Sequence, residues 1–171
     1  SGLTIGYKVV METEGGGMDA DETSLTIEGG FGKVELGEFD GVADTFGITG
    51  LDLTAEESTH SVVSANISLN ADAVNSDGDD TKIAYYLPAI GGLTVGGSYT
   101  DEGAVSNADT TDFGFAYVME AAGSTVTIGG GQTTTAVAAT ADIRSQSLGV
   151  KFVSGNLKVT LAQGTYDAAD E

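Results

Sequence analysis

The chain lacks several residues and runs that define common protein classes. It has no cysteine, which excludes a disulfide scaffold, a zinc–thiolate site and a cysteine nucleophile. Its single histidine, His60, has no Ser-His-Asp spacing around it, and no convergent acid, base and nucleophile are evident, so we do not expect an enzyme. No stretch approaches the roughly 18 consecutive apolar residues of a membrane-spanning helix, which excludes a helical membrane protein.

Basic residues and proline are also scarce. Six Lys and Arg stand against 26 Asp and Glu in 171 residues, which gives a formal net charge of −20. Such a chain repels nucleic acid and anionic bilayer surfaces, so cations are its natural partners and nucleic acid is not. One proline and 26 glycines suit a sheet with many bends, and the hydrophobic residues, 40% of the chain, are too regularly spaced for a disordered protein.

What the chain does have is strict two-residue alternation. From Leu3 to Met11 the odd positions are apolar, whereas the even positions are mostly polar or small. Alternation of this kind predicts a strand with one apolar and one polar face. We therefore predict about nine two-faced strands in a single domain over residues 1–171. The other eight lie near 25–28, 33–36, 82–87, 93–99, 112–119, 125–128, 148–152 and 157–161.

The links between these strands are alternately long and short. Tight turns at one end of an antiparallel meander and loops at the other are typical of an all-β, up-and-down transmembrane β-barrel. A soluble β-sandwich alternates too, but the regular order of the links and the small residues on the polar face favour the barrel. Of the 26 acidic residues, 22 lie in or beside the long links or at the C-terminal end. Long links are predicted over 14–23, 39–81, 101–111 and 133–143, and short ones over 30–32, 88–92, 121–124 and 154–156.

Residues 61–70 alternate as well and do not fit this order. A membrane-crossing strand there would move the Pro88 turn to the loop end of the barrel. We therefore predict that 61–70 form structure within the long loop over 39–81.

Three stretches of the chain carry a resemblance to a known family. They are "SGLTIGYKVVMETE", "TSLTIEGGFGKVELGEFDGVAD" and "TKIAYYLPAIGGLTVGGSYTDEG", in that order. They resemble the middle of Gram-negative general diffusion porins of the alphaproteobacterial type. The resemblance implies a barrel of sixteen antiparallel strands, a homotrimer in the outer membrane, and passive diffusion of small hydrophilic solutes. Porins of this family are longer and end in a strand closed by an aromatic residue, whereas this chain ends in "TYDAADE", so we expect an internal portion of a longer porin.

The candidate functional residues are charges that would line the pore, because charges at the narrowest zone of a channel select solutes by sign. The resemblance implies that the loop after "GGFGKVELG" folds into the barrel and narrows it. The candidate filter acids in or beside that loop are Glu38, Asp40, Asp44, Asp52, Glu56 and Glu57. Strand parity places on the polar, lumen-facing side the bases Lys8, Lys33, Lys82, Lys151 and Lys158. Arg144 has the parity of the apolar face but lies near the end of a strand, so we expect it at the rim of the barrel.

The net negative charge predicts a channel that prefers cations. Strand parity has a simpler explanation as well: a charge on the lipid face at mid-membrane costs about 2–4 kcal/mol, so lysines avoid it with or without a filter.

Two acidic stretches, "GGGMDADE" and "NSDGDD", have the clustered carboxylates that Ca²⁺ favours. Neither fits the twelve-residue calcium loop, so we predict solvated loops and no cofactor. Weakly bound calcium that bridges to lipopolysaccharide and outer-membrane lipid is the alternative. "GGGQTTT" has no lysine and no following helix pattern, so it is not a phosphate loop.

A second class of function stays open: an acidic, calcium-bridged, β-rich protein of a surface layer or filament. Detergent-dependent solubility would favour the porin, whereas calcium-dependent assembly in plain buffer would favour the filament.

Overall fold

The structure, a computed structural model, describes residues 2–12, 19–48, 80–101, 108–137 and 142–167. These residues form nine strands and one short helix. In chain order they are β1 (Thr4–Glu12), β2 (Asp19–Gly29), β3 (Gly32–Glu38), α1 (Val42–Thr45), β4 (Thr81–Tyr86), β5 (Leu93–Thr100), β6 (Ala108–Ala121), β7 (Ser124–Val137), β8 (Ile143–Ser154) and β9 (Leu157–Asp167).

The nine strands form one sheet in the order of the sequence, from β1 to β9. Every neighbouring pair is antiparallel, and β1 and β9 are the two edges of the sheet. The predicted all-β antiparallel meander is therefore confirmed. Within the described ranges, no helix is long and apolar enough to cross a membrane.

The order of long and short links is confirmed only in part: six residues join β4 to β5, where a short link is predicted, and five join β7 to β8, where a long one is. Two-residue turns join β2 to β3, β6 to β7 and β8 to β9, and Gly123 and Gly155 adopt positive φ angles of 77° and 56° there. The long links are shorter than predicted, because β2 already begins at Asp19 and β7 continues to Val137. Polar residues, several of them threonines, extend both strands, since a ladder of backbone hydrogen bonds needs no apolar side chain. Residues 61–70, for which structure within the long loop is predicted, lie outside the described residues.

The two faces of the sheet differ in chemistry, as the alternation predicts. We call one the apolar face; its side chains are large, hydrophobic and exposed. Tyr7 and Leu161, for example, each keep 72% of their surface exposed. We call the other the polar face; it carries Lys8, Ser98 and Asp112. The exposed hydrophobic residues on the apolar face include Leu3, Ile5, Tyr7, Val9, Met11, Leu25, Leu36, Ile83, Tyr85, Tyr99, Phe113, Met119, Leu148, Val150, Val159 and Leu161.

The buried hydrophobic core lies on the polar face. It forms where residues 39–48, which follow β3, pack on the inner side chains of β4 to β8. Among the described residues, the buried hydrophobic ones are Phe39, Val42, Ala43, Ile48, Ala84 and Tyr86. A sheet whose apolar side chains are exposed thus keeps its core on its polar side.

Candidate functional site

The candidate site is built by residues 39–48, which we call the docked segment. Its centre is the single turn α1, in which Thr45 N donates to Gly41 O at 3.0 Å and Phe46 N donates to Val42 O at 3.2 Å. Within this turn the side chains differ in burial. Val42 and Ala43 face the sheet and are fully buried, whereas Asp40 is exposed and Asp44 half-buried.

Two polar contacts attach the docked segment to the wall. Lys82 Nζ on β4 donates to Phe39 O at 2.6 Å. Val42 N at the start of α1 donates to Ser98 Oγ on β5 at 3.0 Å. Ser98 Oγ in turn donates to Asp112 Oδ2 at 3.1 Å, across the register pair that joins β5 to β6. All of these partners are buried, so the contacts form away from water.

Apolar packing completes the attachment. Phe39 and Val42 cluster with Ala84 and Tyr86 of β4, and the ring of Phe46 meets that of Tyr86 edge-on, with centroids 5.9 Å apart. Fully burying one side chain the size of valine contributes about 1.5–3 kcal/mol. Burial of apolar side chains therefore stabilises the docked segment on a face of the sheet that is otherwise polar.

A row of glycines lets the docked segment approach the wall closely. A methyl group on Gly131 would lie 2.6 Å from the Cα of Ala43, and one on Gly149 would lie 2.6 Å from the Cβ of Ile48. Glycine in a strand often marks such a close backbone approach. The residues lie on neighbouring strands β5 to β8, and we call them the glycine track: Gly96, Gly114, Gly129, Gly131 and Gly149.

The predicted acids fall into two groups. Glu38 is exposed at the end of β3, directly before the docked segment; Asp40, which is exposed, and Asp44, which is half-buried, lie within the segment. These three are thus close in the chain, at the end of β3 and in the segment that follows it. Asp52, Glu56 and Glu57 lie outside the described residues.

The predicted lysines all lie on the polar face, but in different settings. Lys8 forms an ion pair with Glu22 of β2. The negative charges of Glu35 and Asp40 also attract its ammonium group. Lys33 Nζ lies 2.8 Å from Glu35 Oε2 and 4.0 Å from the centre of the Tyr86 ring.

The remaining bases differ in exposure. Lys82 is buried under the docked segment, Lys151 on β8 is half-buried, and Lys158 on β9 is exposed. Arg144 is exposed near the start of β8, at the rim of the sheet.

Sequence reasoning missed the seat of the docked segment. The sequence does contain one indication of it: the glycines of the track all occupy polar-face positions, on four consecutive strands. The motif "GGGQTTT" contributes two glycines to the track, because Gly129 and Gly131 face the docked segment from β7. Ser98 and Asp112 were also missed, since nothing local marks a serine or an aspartate as the partner of a distant segment.

Comparison with known proteins now identifies the family. A model of Gram-negative porins matches residues 1–171. This chain belongs to the Gram-negative porin family. No curated protein sequence shows a significant match to it.

Two solved structures resemble this porin chain. One is a loop L8 deletion mutant of OmpT, an outer membrane protein of Vibrio cholerae: the TM-score is 0.60 at 15% sequence identity, over 96% of this chain and 56% of that one. The other is an anion-selective porin from Comamonas acidovorans, with a TM-score of 0.49 at 17% identity, over 97% of this chain and 64% of that one. The porin chain thus spans 56% of the length of the first structure.

Membership of the family gives both faces of the sheet a role. Gram-negative porins are outer-membrane proteins, and the fold of this porin chain is that of an outer-membrane β-barrel. In such a barrel the apolar face meets lipid and the polar face lines the interior. The docked segment therefore lies on the interior side. In the described part of the chain, no group of three or more His, Cys, Asp or Glu side chains could hold a metal ion.

Proposed function

We propose that this porin chain forms the wall of a water-filled channel, through which small hydrophilic solutes and ions diffuse passively, with a preference for cations. The observation that carries the proposal is the docked segment. It occupies the interior side of the wall and carries Asp40, which is exposed, and Asp44, which is half-buried. A segment in that position narrows the bore, and the acids that it carries lie close to the path of a permeating ion.

The charges around the docked segment support the sign of the preference. Lys8 and Lys33 are each paired with a glutamate, and Lys82 lies buried beneath the segment. An ammonium paired with a carboxylate adds little net charge to the lumen, because the two opposite charges lie close together. We propose that the acids of the segment therefore set the sign of the field.

The rest of the predicted filter belongs to the same proposal. Asp52, Glu56 and Glu57 would continue the acidic lining, and Lys151 and Lys158 would face it from the far strands. We also propose a homotrimer whose rim contacts lipopolysaccharide, with calcium at most weakly held by the acidic loops.

The test is the conductance of single channels in a planar bilayer under a potassium chloride gradient, with the full-length native protein. We expect stable steps and a reversal potential of cationic sign. The double variant Asp40→Asn and Asp44→Asn should shift that potential towards the anionic side, because two charges leave the narrowest zone. Asp142→Asn removes one charge at the exposed start of β8, away from the docked segment, and should leave the potential nearly unchanged.

Two results would contradict the proposal. No channels from protein shown to be folded would overturn the diffusion pathway. If the double variant forms channels with the same reversal potential as its parent, the acidic filter is overturned, whereas the proposed diffusion pathway still stands.

A further inference from the structure

We propose that Lys82 and Ser98 are positioning residues, which fix the docked segment on the wall and thereby set the bore of the channel. The inference rests on the proposed function for its meaning, because a fixed bore matters only in a pore. It also gives Lys82 a different role. From strand parity alone, Lys82 was predicted to be one of several charged residues that face the lumen.

The setting of Lys82 supports an anchoring role. Only 4% of its surface is exposed, and its ammonium donates to Phe39 O at 2.6 Å while it lies 5.7 Å from the centre of the Phe39 ring. A buried ammonium is costly unless hydrogen bonds compensate it. Lys82 therefore stabilises a conformation in which the carbonyl of Phe39 stays within its reach.

Ser98 anchors the next turn. Val42 is the first residue of α1, and the first N–H groups of a helix have no partner inside the helix. Ser98 Oγ accepts that N–H, and its own hydroxyl proton points to Asp112 Oδ2. The carboxylate thus orients the hydroxyl so that its lone pair faces Val42. Asp112 supports the anchor without contact to the lumen, since it is 1% exposed.

Lys8 shows what the same side chain does without this role. It lies on the same face of the sheet, but its ammonium pairs with Glu22 on the next strand, and 55% of its side chain is exposed. Removing Lys8 or Lys82 subtracts the same charge from the interior. Only the second removal also releases the docked segment, so the two variants separate anchoring from filtering.

Residues 1–171 contain no cysteine, so a cysteine introduced among them makes the docking measurable by thiol labelling, with the full-length parent as the blank. Val42→Cys places one thiol of similar size at a position that is fully buried between the segment and the wall. In the full-length porin, reconstituted in vesicles, a small water-soluble maleimide should label it slowly. Lys82→Met and Ser98→Ala should each raise the labelling rate at least about tenfold, as expected when a buried group loses a hydrogen bond. Lys8→Met should leave the rate unchanged.

Conductance gives the second measurement. Lys82→Met and Ser98→Ala should change single-channel conductance and add current noise, and Ser98→Ala does so without changing any charge. Lys8→Met should shift only the reversal potential. Heat-modifiable mobility on gels checks that each variant is folded, and Ser98→Ala alone decides the matter if Lys82→Met does not fold.

The outcomes separate the two proposals. Folded Ser98→Ala and Lys82→Met variants that label as slowly as their parent would overturn the anchoring roles, whatever the channel does. Faster labelling in a protein that forms no channels at all would support the anchors and overturn the diffusion pathway instead.

Discussion

The polar face of the sheet is built in two different ways across its width. Over β1 to β3 it carries charges that pair along the wall: Lys8 with Glu22, and Lys33 with Glu35, which also accepts a hydrogen bond from Ser24 Oγ at 2.9 Å. Over β5 to β8 it carries the glycine track and small hydroxyl side chains. The first half can face water, whereas the second half is covered by the docked segment.

The difference shows that a polar face is not one kind of surface. Long charged side chains keep a wall hydrated and hold another peptide at a distance. Glycine and serine present backbone and short hydroxyls, against which a peptide can pack at van der Waals distance. Composition by face, strand after strand, therefore indicates which part of a barrel interior receives a segment and which part stays open.

The largest expected effect tests whether the charged half faces water at all. Leu25 and Thr26 are neighbours on β2 and point to opposite faces. Leu25→Arg puts a charge on the lipid side and should cost about 2–4 kcal/mol of folding free energy in a bilayer, if the site is near mid-membrane. Urea titration of folding into lipid vesicles measures this cost.

Thr26→Arg is the matched control for that substitution. The new charge would join the acids of the polar face, so a much smaller cost is expected. If Leu25→Arg and Thr26→Arg lose the same folding free energy, the lipid-facing and interior faces are wrongly assigned. The distinction between an open half and a covered half of the interior would then fail.

A smaller effect is expected from one methyl group placed in each half. Gly149→Ala puts a Cβ within 2.6–2.8 Å of three atoms that all belong to Ile48, and overpacking of this kind typically costs about 1–3 kcal/mol. Gly6→Ala, on the polar face of β1, meets only the hydroxyl end of Thr26 at a comparable distance, and that side chain can rotate away. We expect Gly149→Ala to lower stability and alter conductance, and Gly6→Ala to do neither. The reverse ranking would show that the track does not seat the segment.

The smallest effect concerns the ion pair of the open half. A double-mutant cycle with Lys8→Met and Glu22→Gln should give a coupling below about 1 kcal/mol, because the Lys8 side chain is 55% exposed and its charge is screened. The coupling should weaken as salt is added. A large, salt-independent value would indicate that this half is as dry as the covered one.

Much of the wall could be predicted from the sequence, because each strand reports its own two faces. Leu25 and Ile27 on one side and Thr26 and Glu28 on the other fix the orientation of β2 without reference to any other strand. The order of the links then fixes the topology. The ends of β2 and β7 were not predictable in this way, since polar residues extend both strands after the apolar pattern stops.

The glycine track indicates which strands receive the docked segment, but the individual contacts of the segment could not be predicted, for a physical reason. Its contacts join Val42 to a residue 56 positions later in the chain, and local patterns carry no information about such pairs. The charge of Lys82 was visible and its partner was not, because that partner is a backbone carbonyl, which every residue possesses. Whether the predicted filter acids and lysines act on permeating ions stays a prediction.

The strand order has a consequence for how the pore comes into being. Each strand pairs only with its neighbours in the sequence, so the wall can grow by adding one strand after another in chain order. The seat of Ile48 includes Gly149 and does not exist until β8 has joined the sheet. We therefore expect the segment to dock after that part of the wall is complete. A pore that assembles in this order is wide at first and becomes narrow last.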